Sequence, residues 1–336
     1  MKRASVVLFV FLIVLVTPVL AGAESPWIEK AKAEGELMLY GTTQISQMQG
    51  VIKSFGKKYP FVKVHYYRAG ADKLAQKIVT EIRVGRHLAD VYQIRGDYRF
   101  MLRKMGLFGR YESKERRHIR DIYKDADGFW TGVYANIELI GYNKDLVSPG
   151  EVPRSRQDLL DPKWKGKIAM DPTDVSWYIT QLHLLGAGKA REFMGELARQ
   201  NVQFRRGHTL LAQLLAAGEF SLLMTLRDNT AYGLIQKGAP IDWVAMEPVI
   251  PNPANSVALP KQPPHPSAAR LWIDYILSRK GQEVLRNFGR NITRKDLDHL
   301  LPRIKKLKFG KIDWPYYLAS YKKYEAEFRK TFLEAR

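Results

Sequence analysis

The chain has 336 residues, 46% of them hydrophobic and 26% charged, which excludes a disordered chain and gives enough length for two domains with cores. Lys and Arg number 54 against 34 Asp and Glu, a net charge of +20 that raises the local concentration of anions. With no cysteine, disulfides, thiolate catalysis and thiolate metal ligation are all excluded.

Taken in order, residues 1–23 read as a signal peptide. Lys2 and Arg3 are basic, Val6 to Val16 is an apolar run too short to span a bilayer, and Ala21-Gly22-Ala23 is a small-x-small cleavage site. Cleavage is expected after Ala23, with an uncleaved anchor as the alternative. No other stretch is apolar for long enough to cross a membrane, and no cysteine can carry a lipid. The expected product is a soluble protein of the periplasm. Export argues against nucleic acid as the partner of so basic a chain, and no RNP, zinc-finger or helix-turn-helix pattern is present.

Trp27 to Glu34 reads as a first helix, and Glu36 to Tyr40 as a buried strand. The small polar loop Gly41-Thr42-Thr43-Gln44 opens a helix from Ile45 to Lys58, with Met48, Val51, Ile52 and Phe55 on one face. Val62 to Tyr66 alternates as a strand, and a helix from Asp72 to Val84 buries Leu74, Ile78 and Ile82. Ala89 to Ile94 is a third strand, ending at Arg95-Gly96-Asp97 before a helix from Phe100 to Met105. This βαβαβ order predicts a doubly wound, mostly parallel sheet.

The chain is β-rich from Trp130 to Tyr142. Asp161 to Gly166 reads as a turn and Lys167 to Met170 as a short strand. Asp171-Pro172-Thr173-Asp174 then reads as a helix start, with a capping acid before a proline at the first helical position. A strand feeding a helix N-terminus presents free N–H groups at the carboxyl end of a sheet, which favours anions; an ordinary strand-turn-helix corner fits the same residues. Helices are predicted over 174–185, 189–200, 207–217 and 229–237, and strands over 202–205, 220–225, 242–246 and 255–259. A further helix over 267–277 carries Leu271, Trp272, Tyr275 and Ile276 on one face. Leu300 to Arg336 is a basic, aromatic tail, helical near its end.

Several strings, in order, carry a family resemblance: Gly141-Tyr142-Asn143-Lys144-Asp145-Leu146, then Asp161 to Pro172, Ala216-Ala217-Gly218-Glu219, and His265 to Arg270 running into Ser278 to Gln282. Across roughly Gly35 to Phe288 the chain resembles the ferric-iron-type branch of extracellular solute-binding proteins, the receptors of ABC importers. The resemblance implies an α/β fold of two doubly wound lobes joined by two crossover strands, the type II periplasmic binding protein. It implies lobe one at 24–132 plus 250–290, lobe two at 133–249, and a tail at 291–336 that packs on the lobes. It also implies a cleft that closes on its ligand, a permease of the inner membrane as partner, and a monomer with no cofactor.

Loops at the strand ends would line that cleft. Thr42 and Thr43 offer hydroxyls, and Asp171, Ser176 and His208 sit at helix starts. Arg95, Arg206 and Arg227 follow strands and suit a carboxylate or phosphonate. Asp97 and Asn229 lie beside them, and Trp177 or Trp130 could stack on an organic ligand or simply pack. In so basic a chain one arginine in a loop carries no weight by itself; Arg227 stands out because it follows a buried strand where the family places ligand contacts.

Iron-binding relatives place adjacent tyrosines after the strand that matches Phe220 to Thr225. Here that position reads Met224-Thr225-Leu226-Arg227-Asp228-Asn229-Thr230, without a tyrosine, and Arg227 would repel a cation. Tyr66-Tyr67 falls on a strand, where neighbours face opposite sides, and Tyr316-Tyr317 falls in the tail. The expectation is a receptor for a small organic anion with no metal site. The alternatives are a ferric-iron receptor, a ligand-presenting partner of a membrane sensor, and an exported enzyme using Asp97, Asp171, Asp174 and Asp228, acids that serve equally as helix caps.

Overall fold

A computed structural model describes residues 26–298 and 302–334. The signal-peptide reading lies outside them. Among the described residues no helix is long and apolar enough to cross a membrane.

The first third of the chain supplies α1 (Ile28–Glu34), β1 (Glu36–Gly41), α2 (Ile45–Lys58), β2 (Lys63–Arg68), α3 (Ala71–Arg83), β3 (Val91–Ile94), α4 (Gly96–Lys104), β4 (Phe108–Gly109) and β5 (Thr131–Ala135). The middle supplies β6 (Glu138–Asn143), β7 (Ile168–Met170), α5 (Val175–Leu185), α6 (Ala187–Arg199), β8 (Gln203–Phe204), α7 (His208–Ala216), β9 (Leu222–Arg227), α8 (Asp228–Ile235) and β10 (Ile241–Val244). The chain then gives β11 (Asn255–Pro260), α9 (Pro266–Leu277), α10 (Arg279–Asn287) and β12 (Asn291–Ile292), followed by α11 (Pro302–Lys305), α12 (Trp314–Ala319) and α13 (Tyr321–Phe332).

The strands form two sheets. The first runs β12-β5-β11-β3-β1-β2, with β4 added on β11; the second runs β10-β6-β9-β7-β8. The expectation of mostly parallel sheets needs correction. β1 pairs in parallel with β2 and β3, but β11 is antiparallel to β3 and β5, and β6 is antiparallel to β9 and β10. The reason is connectivity. β1, β2 and β3 end where the two sheets meet, whereas β11 enters its sheet from that side; β6 does the same in the second sheet. The chain passes between the sheets twice, at 136–137 and over 245–254.

Both faces of each sheet are covered, so the central strands β3, β9 and β11 are buried along nearly their whole length. On one face of the first sheet Met48, Val51 and Phe55 of α2 meet Trp272 and Tyr275 of α9; on the other, Leu74 and Ile78 of α3 meet Leu102 of α4. In the second sheet Tyr178 and Ile179 of α5 and Met194 and Leu197 of α6 cover one face, while Leu211 and Leu215 of α7 cover the other. Phe328 and Phe332 of α13 are buried in this lobe, edge-on to Tyr178, Trp177 and Phe204. The tail also spans the seam, because α12 lies against α4 and Trp314 Nε1 donates to the carbonyl of Pro251 in the second crossing.

Two local expectations change. The helix expected over 174–185 runs from Val175 to Leu185, but Pro172 is not its first residue. Asp171 does not cap it; its carboxylate accepts from the Thr173 amide and hydroxyl and from the Gly207 amide, tying two loops together. The strand predicted over 220–225 runs over 222–227, so Arg227 is its last residue and directly precedes α8.

Candidate functional site

The loops after β1, β2 and β3 and those after β7, β8 and β9 surround a cavity of about 450 Å³. Its construction is electrostatic. The residues immediately before α2, α3, α4, α7 and α8, namely Gln44, Gly70, Arg95, Gly207 and Arg227, all line it. At none of these five starts does the preceding residue's own side chain cap the helix, although Asp171 takes the Gly207 amide and Asp97 the Tyr98 amide. Unsatisfied N–H groups and positive dipole ends therefore converge on one space. Arg68, Lys73, Arg95, Arg206, Arg227 and Arg290 add side-chain charge, against only Asp72 and Asp171 in the same lining. Most of the remaining lining side chains are hydroxyls and amides, including Thr42, Thr173, Thr209, Thr230, Asn136, Asn229 and Asn255.

Arg227 is the exceptional group. Its Nε is buried without a partner, and its guanidinium makes no hydrogen bond to any described residue. Burial pushes its pKa down and the charges of Arg95 and Arg290 push the same way, against Asp174 and Glu138. A half-buried charge with no hydrogen-bonded partner is costly, and an anion in the cavity relieves that cost.

Beside it, Glu138, Asp174 and His208 bring ligand atoms within 4.8 Å of one another, a cluster the sequence reading did not foresee. His208 Nε2 lies 2.8 Å from Asp174 Oδ1, and the Thr225 hydroxyl donates to Asp174 Oδ2 at 2.5 Å. Asn252 donates to Glu138 at 2.6 Å. Burial, aided by the Asp174 charge, pushes the Glu138 carboxyl up to about 8. Both Asp174 oxygens are thus in use, Glu138 holds its proton at neutral pH, and a guanidinium stands next to them. The cluster fits a hydrogen-bonded network better than a seat for a hard cation.

Of the residues singled out from sequence, Thr42, Arg95, Asp171, Arg206, His208, Arg227 and Asn229 come together in the cavity lining. Four do not. Thr43 is fully buried, with its hydroxyl bonded to Tyr134 at 2.9 Å and Gln93 at 2.9 Å. Asp97 stands behind the cavity as the bidentate partner of Arg95, at 2.9 and 2.7 Å. Ser176 and Trp177 are buried within α5; Trp177 packs edge-on to Phe332. Helical rotation explains both. At about 100° per residue, the second and third positions of α5 turn from the cavity toward the core.

Three placed residues also have altered roles. Arg95 is committed to Asp97, and Asn229 to Arg290 at 2.9 Å. Arg206 is exposed and reaches Asp72 of the opposite lobe at 3.0 Å. A second bond across the seam runs from Gln44 to Thr209 at 2.9 Å. Neither adjacent tyrosine pair lines the cavity, whose tyrosines are Tyr98 and Tyr134.

Sequence reasoning missed Arg68, Lys73, Tyr134, Asn136, Asn255 and Arg290. The run Arg68 to Lys73 had a readable signal, a strand feeding a glycine-marked helix start, hidden by ending the strand at Tyr66. Arg290 had none, because it sits in a short connection far along the chain.

Comparison with known proteins agrees with this architecture. The family described as bacterial extracellular solute-binding protein matches residues 88–316. A Haemophilus influenzae protein of undescribed function is 27% identical over 269 residues, covering 76% of each chain. Iron-bound HitA from Pseudomonas aeruginosa superposes with a TM-score of 0.77 at 21% identity, over 89% of this chain and 99% of its own. The periplasmic binding protein AfuA from Actinobacillus pleuropneumoniae, solved with fructose-6-phosphate, superposes with a TM-score of 0.78 at 23% identity, over 89% and 99%. The fold is that of these type II periplasmic binding proteins.

Proposed function

The chain belongs to the bacterial extracellular solute-binding proteins, and from that premise we propose that it is a periplasmic receptor for a small, hydroxyl-bearing organic anion, which it hands to an ABC permease. Arg227 carries this reading. A half-buried guanidinium with no hydrogen-bond partner, its Nε fully enclosed, in a cavity where five helix starts converge, calls for a negative ligand. The hydroxyl and amide lining suits a polar ligand body rather than an aromatic or aliphatic one, and Trp177 packs elsewhere. The best match in chemistry is a phosphate ester or hydroxycarboxylate; AfuA, with its fructose-6-phosphate, supports the first. Closure of the two lobes over the ligand would create the shape the permease reads.

The Glu138–Asp174–His208 cluster and the likeness to iron-bound HitA favour a second reading, ferric iron as cargo. The two separate in one thermal-melt experiment with fructose 6-phosphate, inorganic phosphate, citrate, fructose and ferric citrate. A bound ligand at 100 times its dissociation constant adds about 2.7 kcal/mol, a rise of a few degrees in the melt. A rise with the anions and none with fructose is expected. A rise with ferric citrate alone, with a visible charge-transfer band, overturns the anion reading.

A further inference from the structure

The cavity brings together three guanidiniums from opposite lobes. Arg95 and Arg290 belong to the lobe of the first sheet, and Arg227 ends β9 in the second. The first two are fixed. Arg95 is clamped by Asp97. Arg290 is 5% exposed; its Nε donates to Gln47 at 2.9 Å and its Nη1 to Asn136 at 2.8 Å and Asn229 at 2.9 Å, with the guanidinium 4.2 Å from the Tyr134 ring centre. The Arg227 guanidinium bonds to no described residue.

We propose that Arg290 and Arg95, facing Arg227 across the seam, make closure conditional on charge: the empty lobes are held apart by like-charge repulsion, and only an anion between them lets the cavity shut. Arg290 is then a specificity-determining residue. It meets the ligand's charge and, through Asn229, grips the opposite lobe once that charge is in place. This inference rests on the cavity being the binding site.

Physical chemistry gives the gate direction and size. Each lobe rotation that shuts the cavity moves a positive charge out of water and toward two others. At the effective dielectric of a protein site, one such pair at about a Debye length changes a closed-to-open ratio on the order of tenfold. Local acids offset this only in part: Asp97 pairs with Arg95 and Asp174 favours the charge on Arg227, but Arg290 has no acid within ion-pair distance among the described residues. A neutral sugar supplies no compensation, so it would occupy the cavity without closing it; a bare cation would add to the repulsion.

Because the chain has no cysteine, Gln76→Cys on α3 and Gln213→Cys on α7 introduce a unique pair of exposed thiols for spin labels, one on each lobe. The distance distribution by pulsed electron resonance is the readout. Without ligand, the otherwise unaltered protein is expected to show mostly longer distances than the structure has, and inorganic phosphate to move it to the short ones. Arg227→Met removes a charge without breaking a hydrogen bond, so the short-distance fraction without phosphate should rise roughly tenfold. Arg290→Lys keeps the charge but loses the planar bonds, so that fraction should not rise.

If Arg227→Met leaves the ligand-free distribution unchanged, the gate does not exist. Should that variant fold poorly, raising NaCl from about 0.05 to about 0.5 M screens the same repulsion in the unaltered chain, and no gain in the short-distance fraction also overturns the proposal. Failure to bind any anion would instead strike the receptor reading, while the ligand-free distributions still decide the gate.

Discussion

Replacing Glu138 by Gln tests whether the network beside the cavity is wired as described. In the folded protein its carboxyl is pushed from the ordinary value of 4.5 to about 8, first by burial and then by Asp174. The folded state therefore holds a proton that the unfolded chain gives up above 4.5. Stability is lost as pH rises from 4.5, and the loss is complete above 8. Each tenfold change in proton affinity corresponds to about 1.4 kcal/mol, so the full effect is roughly 2–5 kcal/mol once partial exposure and coupling to Asp174 are allowed for. Glutamine keeps the acceptor for Asn252 but carries no titratable proton. Urea unfolding of both proteins between pH 5 and 9 should give nearly equal free energies at the acid end. Toward the alkaline end the Glu138→Gln protein should gain a growing advantage. Parallel curves would mean that Glu138 is ionised throughout and that the network description is wrong.

Other substitutions separate roles that the sequence alone merges. Trp177→Ala should lower the melting temperature, with a cost of about 3–5 kcal/mol in urea unfolding, yet leave phosphate-ester affinity within about twofold by calorimetry, because the ring packs on Phe332 and not in the cavity. Gly289→Ala should weaken both: φ is +78°, and an added methyl would meet Tyr232 of the opposite lobe at 2.7 Å, so a left-handed strain of about 1–2 kcal/mol is joined by a clash at the seam. Its melt should fall, and its ligand-free label distances should lengthen. Arg206→Ala removes an exposed ion pair to Asp72 and should change unfolding free energy by less than about 1 kcal/mol.

The fold was largely legible because its signals are local. The α2 face of Met48, Val51 and Phe55 falls at helical spacing, and the buried strands are bounded by glycine and charged turns. Connectivity between lobes was legible only through family resemblance, and the antiparallel return of β11 was not foreseen, since no local pattern records from which side a strand enters a sheet. The site was half legible. Arg227 and His208 announce themselves by following strands. Arg290 does not, because its neighbours Gln47, Asn136 and Asn229 lie 243, 154 and 61 residues away along the chain. Trp177 misled for the opposite reason: it follows a promising loop, but the rotation of α5 carries it round to the core.

The way the chain threads its two sheets also constrains how it can be made. β11 is wedged between β3 and β5, β12 borders β5, and Phe328 and Phe332 fill the second lobe. Both lobes thus await residues from the last quarter of the sequence. At ribosomal speeds of roughly 5–20 residues per second, that stretch takes several seconds to appear. Through that interval β3 has an open flank and α5 an uncovered aromatic pocket, so the nascent chain stays incompletely folded and available to whatever escorts unfolded polypeptides. The late completion delays native structure: the order of the strands is itself the timer.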